Sequence, residues 1–389
     1  MTTNQDVPTP ALARISPSAA LVRFFRKLPD PRRRHGQQHR LLDIVAIAIC
    51  AVICGANDWH AVATFGRRRQ AWLARFLKLP HGMPSHDTFE RVFARLDPVA
   101  FHRCFQDWVG ELAALLKCKQ VAVDGKTLRG STTAAGPLGP LHVVSAWARE
   151  HHLVLGQVAV DTKSNEITAI PKLLALLDLH GALVTIDALG CQTAIAQQIR
   201  DQGGDYLLTV KANQPTLQAE IQAAFEQAFE TDYAGLDHDT YTRTEQAHGR
   251  QEKRTYTIIT NPPAFPAQAD WPGLRVIGLC YCERRRPGKK VEEELRYFIG
   301  SKPAKARYYG NALRGHWSIE NNLHWQLDIS FHEDDNRVCQ RRAAETLAVI
   351  RRLALMLLKR HPDRQSIAGK RFTAALDTDF LEEVLCGKT

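Results

Sequence analysis

The stretch Gln120-Val121-Ala122-Val123-Asp124-Gly125 is where the chain changes character. Ahead of it, from 21 to about 117, apolar residues recur at helical spacing. Here a continuous apolar run is closed by an aspartate and a glycine, the pattern of a buried strand ending in a turn. Residues 141–148 and 153–160 form two more such runs, joined across Glu150-His151, and read as antiparallel strands following the first. Then come an amphipathic helix over 167–179 and an apolar strand over 182–186, closed by Asp187. A helix over 191–201, a fifth strand over 206–210 and a third helix over 217–229 complete the run.

The order β-β-β-α-β-α-β-α predicts an α/β fold with a mixed five-stranded sheet, the ribonuclease H-like arrangement. In that topology the first and fourth strands are neighbours, so Asp124 and Asp187 should come together. Residues 235–300 break the rhythm. Segments 240–244 and 254–260 alternate about His248-Gly249, and 274–282 and 291–299 flank a basic turn at 284–290. They read as a β-rich insertion.

A third acidic group is sought beyond it, in Arg314-Gly-His-Trp-Ser-Ile-Glu-Asn-Asn-Leu-His-Trp-Gln-Leu-Asp-Ile-Ser-Phe-His-Glu-Asp-Asp-Asn-Arg337. The stretch reads as a helix. Positions four apart stack on one face, so His316, Glu320 and His324 should converge, with Asp328 continuing the face. Two aspartates at adjacent strand ends and a helical glutamate can hold two Mg²⁺ ions, or Mn²⁺ in their place, roughly 3.5–4 Å apart for phosphoryl chemistry. Asp328 or the run Glu333-Asp334-Asp335 could stand in for Glu320. His316-x3-Glu320-x3-His324 could instead bind zinc, although the spacing is not His-Glu-x-x-His.

The composition suits such work. The 389 residues carry a net charge of +10, with the cations in runs: 32–34, 67–69, 284–286 with 289–290, 341–342, 351–352 and 359–360. Clusters of this kind suit a polyanion, because neutralising phosphates releases counterions. Nine cysteines without a Cys-x-x-Cys pair point to reduced thiols. There is no signal-peptide pattern, and the most apolar segment, 41–54, is too short to span a bilayer and contains Asp43. The expectation is a soluble cytoplasmic protein, nucleoid-associated when bound to DNA.

The first 20 residues are rich in Thr, Pro, Ser and Ala and read as a disordered tail. Within the helical segment 21–117, the run 41–54 is apolar nearly all round and marks a buried helix. After Pro84, Asp87 with Glu90 reads as a capping box, followed by Phe89, Val92, Phe93 and Leu96 at helical spacing. A compact helical domain with two arginine triplets fits DNA binding. The chain closes with helices expected over 343–359 and about 372–385.

Several stretches resemble the ISAs-type insertion-sequence transposases, including the H-repeat-associated proteins found beside Rhs elements. They are Asp124-Gly-Lys-Thr-Leu-Arg-Gly, Thr185-Ile-Asp-Ala-Leu-Gly-Cys-Gln, Asp205-Tyr-Leu-Leu-Thr-Val-Lys-Ala-Asn-Gln and His316-Trp-Ser-Ile-Glu-Asn-Asn-Leu-His-Trp, with Lys163-Ser-Asn-Glu-Ile and Pro84-Ser-His-Asp-Thr-Phe. The resemblance runs over about 21–385. It implies a DDE transposase with a ribonuclease H-like core, Mg²⁺-dependent cleavage of double-stranded DNA at the element's terminal inverted repeats, and strand transfer to target DNA. By position, the catalytic and metal-binding triad is Asp124, Asp187 and Glu320.

The expected DNA contacts are Lys211, Asn213 and Gln214 after the fifth strand, Arg250 in the insertion, and Arg314, His316 and Trp317 before the glutamate. A homodimer on DNA is the expected assembly. The wider group with β insertions places a tyrosine seven residues before the glutamate, an arginine four before and a lysine seven after. Here those positions hold Leu313, His316 and Leu327, so that grip on the DNA end is not carried over. The division expected is 1–20, 21–117, 118–234, 235–300 and 301–389. The competing classes are an inactive or domesticated DNA-binding relative and a structure-selective nuclease without strand transfer.

Overall fold

The computed structural model describes residues 23–114, 118–132, 139–160, 165–247 and 249–386. The expected tail at 1–20, Lys163-Ser164 and the turn residue His248 lie outside them. By contacts the chain forms two compact units. One holds the residues up to Trp108 and those from Ser330 onward, and the other runs from Val109 to Ile329. The closing helices thus group with the early helices, whereas the sequence division joined them to the glutamate segment.

In the first unit, α1 (Leu41–Ile53) is buried from Ile44 to Ile53, as its all-round apolar character requires. Next come α2 (Trp59–Arg68), α3 (Gln70–Leu73), α4 (His86–Phe93) and α5 (Pro98–Ala114). The cap of α4 is Ser85, whose hydroxyl accepts from Thr88 N at 3.3 Å. Asp87, expected there, lies in the first turn instead, where its charge suits the positive helix end. Ser85 takes the role because its backbone is extended (φ −75°, ψ 163°), as a cap must be.

The second unit is built on one sheet. Its elements are β1 (Gln120–Leu128), β2 (Leu141–Ala148), β3 (Leu153–Ala159), α6 (Glu166–Leu174), β4 (Leu183–Ile186), α7 (Thr193–Asp201), β5 (Asp205–Val210), α8 (Pro215–Glu230), β6 (Asp237–Ala247), β7 (Arg250–Thr260), β8 (Val276–Arg285) and β9 (Glu292–Gly300). Then come α9 (Ala306–His316), a π-helical turn over Glu320–His324 and α10 (Trp325–Ile329). Nine strands lie in the order β3-β2-β1-β4-β5-β9-β8-β7-β6. β1 pairs antiparallel with β2 and parallel with β4, and β4 pairs parallel with β5.

A five-stranded sheet was expected. The β-rich segment does not stand apart; β9 joins the edge of β5 antiparallel and β8, β7 and β6 continue from it. An unpaired edge at β5 would leave a row of backbone donors and acceptors open, and the inserted strands fill it. Across these strands lies α9, which packs Ala306, Tyr309 and Ala312 on Leu183, Leu207, Ile258, Val276 and Phe298.

The helix expected over 314–337 in fact begins at Ala306 and leaves helical geometry after Ile329. The chain then enters the first unit's α11 (Arg341–Arg360), α12 (Ile367–Leu376) and α13 (Thr378–Cys386). The single helix expected over 372–385 is broken at Asp377. Its carboxylate accepts from Asp379 N at 2.8 Å and Phe380 N at 3.3 Å, which starts a new helix. Arg351 and Arg352, counted in the sequence among the basic runs, are buried in α11 and belong to no surface track.

Candidate active site

The parallel ladder of β1 and β4 ends with Val123 opposite Ile186, so Asp124 and Asp187 are the next residues on neighbouring strands. Strands in a sheet lie about 4.8 Å apart, which sets two carboxylates side by side. Asp124 Oδ1 accepts from Gly125 N at 2.9 Å. Asp187 Oδ1 accepts from Leu189 N (3.1 Å) and Gly190 N (3.4 Å), capping the short turn after β4.

That turn is held from β5. Asn213 Nδ2 donates to Ala188 O at 2.6 Å and Gln214 Nε2 to Cys191 O at 2.9 Å. Both amide nitrogens expected to meet DNA are therefore committed to the protein's own backbone. Lys211 beside them is exposed.

The third group arrives through α9. Its C-terminal end is tied to the sheet by Gln120 Nε2, which donates to Ala312 O at 2.7 Å, and by a 3.1 Å bond between Thr185 Oγ1 and His316 Nδ1. The approach is close enough that a Cβ on Gly315 would stand 2.5 Å from Gln120 Oε1, so any larger residue here would displace that side chain. Beyond it the chain widens into the π turn, a geometry frequent at functional sites. Glu320 is exposed at its start and His324 buried at its end.

His324 Nε2 lies 3.3 Å from Asp124 Oδ2. Donor atoms of Asp124, Glu320 and His324 all lie within 4.8 Å of one another. The face drawn from the sequence therefore does gather Glu320 and His324, and His316 acts electrostatically on both aspartates. Asp328 is drawn off to Lys126, with Oδ1 2.7 Å from Nζ. Glu333 is fully buried against Arg352 in the first unit, and Asp335 faces His332 at 3.5 Å. Neither competes with Glu320.

The electrostatics separate the two aspartates. Burial pushes Asp124 up, but His324, His316 and the Gly125 N–H outweigh it and hold the carboxyl below its usual range. Asp187 is pushed above its usual range by burial, by the charge of Asp124 and by that of Glu166. Burial pushes the His316 imidazole down and favours its neutral form. Crowded carboxylates of this kind repel, and a cation between them relieves the repulsion. His324 is 2% exposed, and neither ring nitrogen has a hydrogen-bond partner among the described residues. Such an imidazole beside two carboxylates fits a divalent cation.

Next to the site, a cavity of about 310 Å³ opens between α9 and the sheet, with Leu207 and Phe298 among its lining and six arginines around it. Two of them are Arg250 and Arg314, the expected contacts. Arg250 pairs with Glu252 at 3.0 Å and Arg314 with Glu245 at 3.1 Å. Trp317 is 48% exposed at its rim, with Arg296 stacked over the ring at 5.7 Å. His316 lines the same cavity but is turned inward to Thr185.

Residues 119–357 match the model of the transposase DDE domain, and 22–109 match the DDE_Tnp_1-associated model. The chain belongs to the DDE transposase family. It is 38% identical to the "Putative transposase YncI" of Escherichia coli O157:H7, over 94% of each chain. It is also 38% identical to the "H repeat-associated putative transposase YhhI" of Escherichia coli K12, over 94% of this chain and 98% of that one. A cryo-EM structure of the piggyBac transposase synaptic complex with hairpin DNA aligns at 10% identity and a TM-score of 0.42, covering 98% and 84% of the two chains. A likeness at that level decides nothing further.

Sequence reasoning about this transposase named His324 only on the converging face and in the zinc alternative, and did not name Glu166 as a site residue. The signal for His324 was its spacing of four from Glu320. Glu166 gave none, because its position over Gly125 depends on how α6 docks against β2 and β3. Among the described residues, no helix is long and apolar enough to cross a membrane.

Proposed function

We propose that this transposase cuts double-stranded DNA at the terminal repeats of its element and joins the ends to target DNA. Asp124, Asp187 and Glu320 form the catalytic, metal-binding set, with Mg²⁺ as the ion and Mn²⁺ as a substitute. The observation that carries the reading is the convergence of Asp124, Glu320 and His324 at the strand end that Asp187 adjoins. The strand order β3-β2-β1-β4-β5 supports a ribonuclease H-like core over 118–234, completed after the insertion at 235–300 by the glutamate segment from 301 onward. The helices within 21–117, and a homodimer on DNA, supply end binding and synapsis in this reading.

A bound divalent ion would activate the attacking hydroxyl and neutralise charge at the phosphorus. The protein's own groups prepare the place. Asp124 is kept ionised by the histidines beside it. The Asn213 and Gln214 amides hold the turn that aims Asp187. Lys211, Arg250 and Arg314 offer charge to the DNA backbone, and Trp317 offers an exposed ring face at the cavity rim.

The test is cleavage of a duplex carrying the DNA that flanks the gene, with and without Mg²⁺. Wild type should nick at the repeat ends and join them to a plasmid. Asp187→Ala and Glu320→Gln should bind the same duplex yet cut at least about a hundredfold more slowly. Cleavage by Glu320→Gln at the wild-type rate would overturn the assignment.

A further inference from the structure

Gly125 follows Asp124 on β1, and a side chain crosses the space above it. A Cβ at 125 would overlap the Glu166 carboxylate and come within 2.6 Å of His142 Nε2. Glu166 is the first residue of α6, and no side-chain hydrogen bond from Asn165 caps that helix. Its Oε1 lies 2.6 Å from His142 Nε2, and His142 Nδ1 lies 2.7 Å from Thr127 Oγ1. Thr127 and His142 are direct partners across β1 and β2. Both imidazole nitrogens are thus engaged, and the arm Thr127–His142–Glu166 has a fixed reach that ends over Gly125, the residue after Asp124.

The charge of Glu166 is felt at Asp187, after burial and Asp124 themselves. Three carboxylates are therefore gathered on this side of the gap. Across it stand Glu320 and the buried His324, whose Nε2 faces Asp124 Oδ2 at 3.3 Å and whose Nδ1 has no hydrogen-bond partner among the described residues. A simple His–Glu pair placed to secure a helix would not need to bring its negative charge up to Asp187, which already feels that of Asp124. Doing so costs free energy unless a cation lies between them.

We propose that Glu166 is a fourth carboxylate of the divalent-ion site, serving with Asp124 and Asp187 the ion on the side away from His324, and that His142 and Thr127 are its positioning residues. The inference rests on the metal-dependent reading above. Oxygen-only donors on this side suit a hard cation, whereas the Glu320 side adds a nitrogen. It also gives a reason for the glycine in Asp124-Gly125: any Cβ there would take the place of the Glu166 carboxylate.

Binding of Mn²⁺ alone to the full-length protein, read from the free-ion electron paramagnetic resonance signal, tests this without any turnover. Wild type should take up two ions. Glu166→Gln should leave one site intact and weaken the other about 10- to 100-fold, with His142→Gln near the lower end. Gly125→Ala should do the same, since the flexible carboxylate yields to the new methyl. This variant keeps the question answerable if Glu166→Gln folds poorly, as judged by metal-free melting.

Glu320→Gln should lose the other ion. Two ions at wild-type affinity in both Glu166→Gln and Gly125→Ala would overturn the proposal, as would a single ion indifferent to position 166. In either case the loss seen with Glu320→Gln leaves the broader reading standing. If Asp124→Asn and Glu320→Gln both bind Mn²⁺ as wild type does, it is the metal-dependent reading that has failed.

Discussion

Replacing Glu333 by glutamine should destabilise the helical unit without touching the chemistry. The Glu333 and Arg352 side chains are both 0% exposed, with Arg352 Nη1 3.1 Å from Glu333 Oε1. Arg352 Nη1 also reaches Ala348 O at 3.1 Å, one turn back on α11. Arg351 beside it is fully buried, and its Nε and one terminal nitrogen lack hydrogen-bond partners among the described residues. Burial pushes that guanidinium down to about 10, and Glu333 is what opposes the shift.

Glutamine keeps the volume and removes the negative charge that faces these two buried cations. Removing one partner of a buried pair costs about 3–5 kcal/mol. For a cooperative unit of this size each kcal/mol moves the midpoint by about 2–4 °C, so the melting temperature should fall by roughly 6–20 °C. Circular dichroism melting of the purified variant reads this directly. Removing both charges, Glu333→Leu with Arg352→Met, should recover most of the loss, because the desolvation penalty goes with them. A Glu333→Gln protein that melts within about 2 °C of wild type but no longer cuts DNA would refute the structural role. It would return Glu333 to the list of catalytic carboxylates.

Two further outcomes bear on the site and the DNA. Imidazole nitrogen suits Mn²⁺ better than Mg²⁺, so wild type should cut faster with Mn²⁺, and His324→Ala should lower the Mn²⁺-to-Mg²⁺ rate ratio about tenfold; an unchanged ratio would take His324 out of the donor set. Trp317 and Trp325 are about half exposed, so duplex DNA should quench tryptophan emission, less so in Trp317→Phe. Arg314→Ala should reduce the slope of log affinity against log salt by somewhat less than 1, since Glu245 already shares that charge; an unchanged slope would mean that Arg314 meets no phosphate.

Much of the catalytic unit could be read along the chain. Each strand up to β5 announces itself as a short apolar run, and Asp124 and Asp187 stand where two of those runs stop. Where the reading slipped, a local pattern had two continuations. The periodicity around Glu320 does not say where the helix begins, that it relaxes into a π turn, or that it stops at Ile329. Asp87 and Ser85 are both good caps, and the backbone angle at Ser85 chose between them. The sequence also does not show the carbonyls and hydroxyl that Asn213, Gln214 and His316, expected at the DNA, meet within the protein.

By itself the order of residues determined the α/β alternation and set Asp124 and Asp187 where two apolar runs stop, although β1 itself continues past Asp124 to Leu128. Those follow from side-chain period and chain connectivity, which are local quantities. Only the folded chain decided that the inserted strands extend the same sheet, that Arg351 and Arg352 are interior rather than surface charges, that His324 meets Asp124, and that Glu166 lies over Gly125. Each of these depends on which distant surfaces pack together. That packing is set by burial and by the balance of charges brought into contact, neither of which is written at any one position.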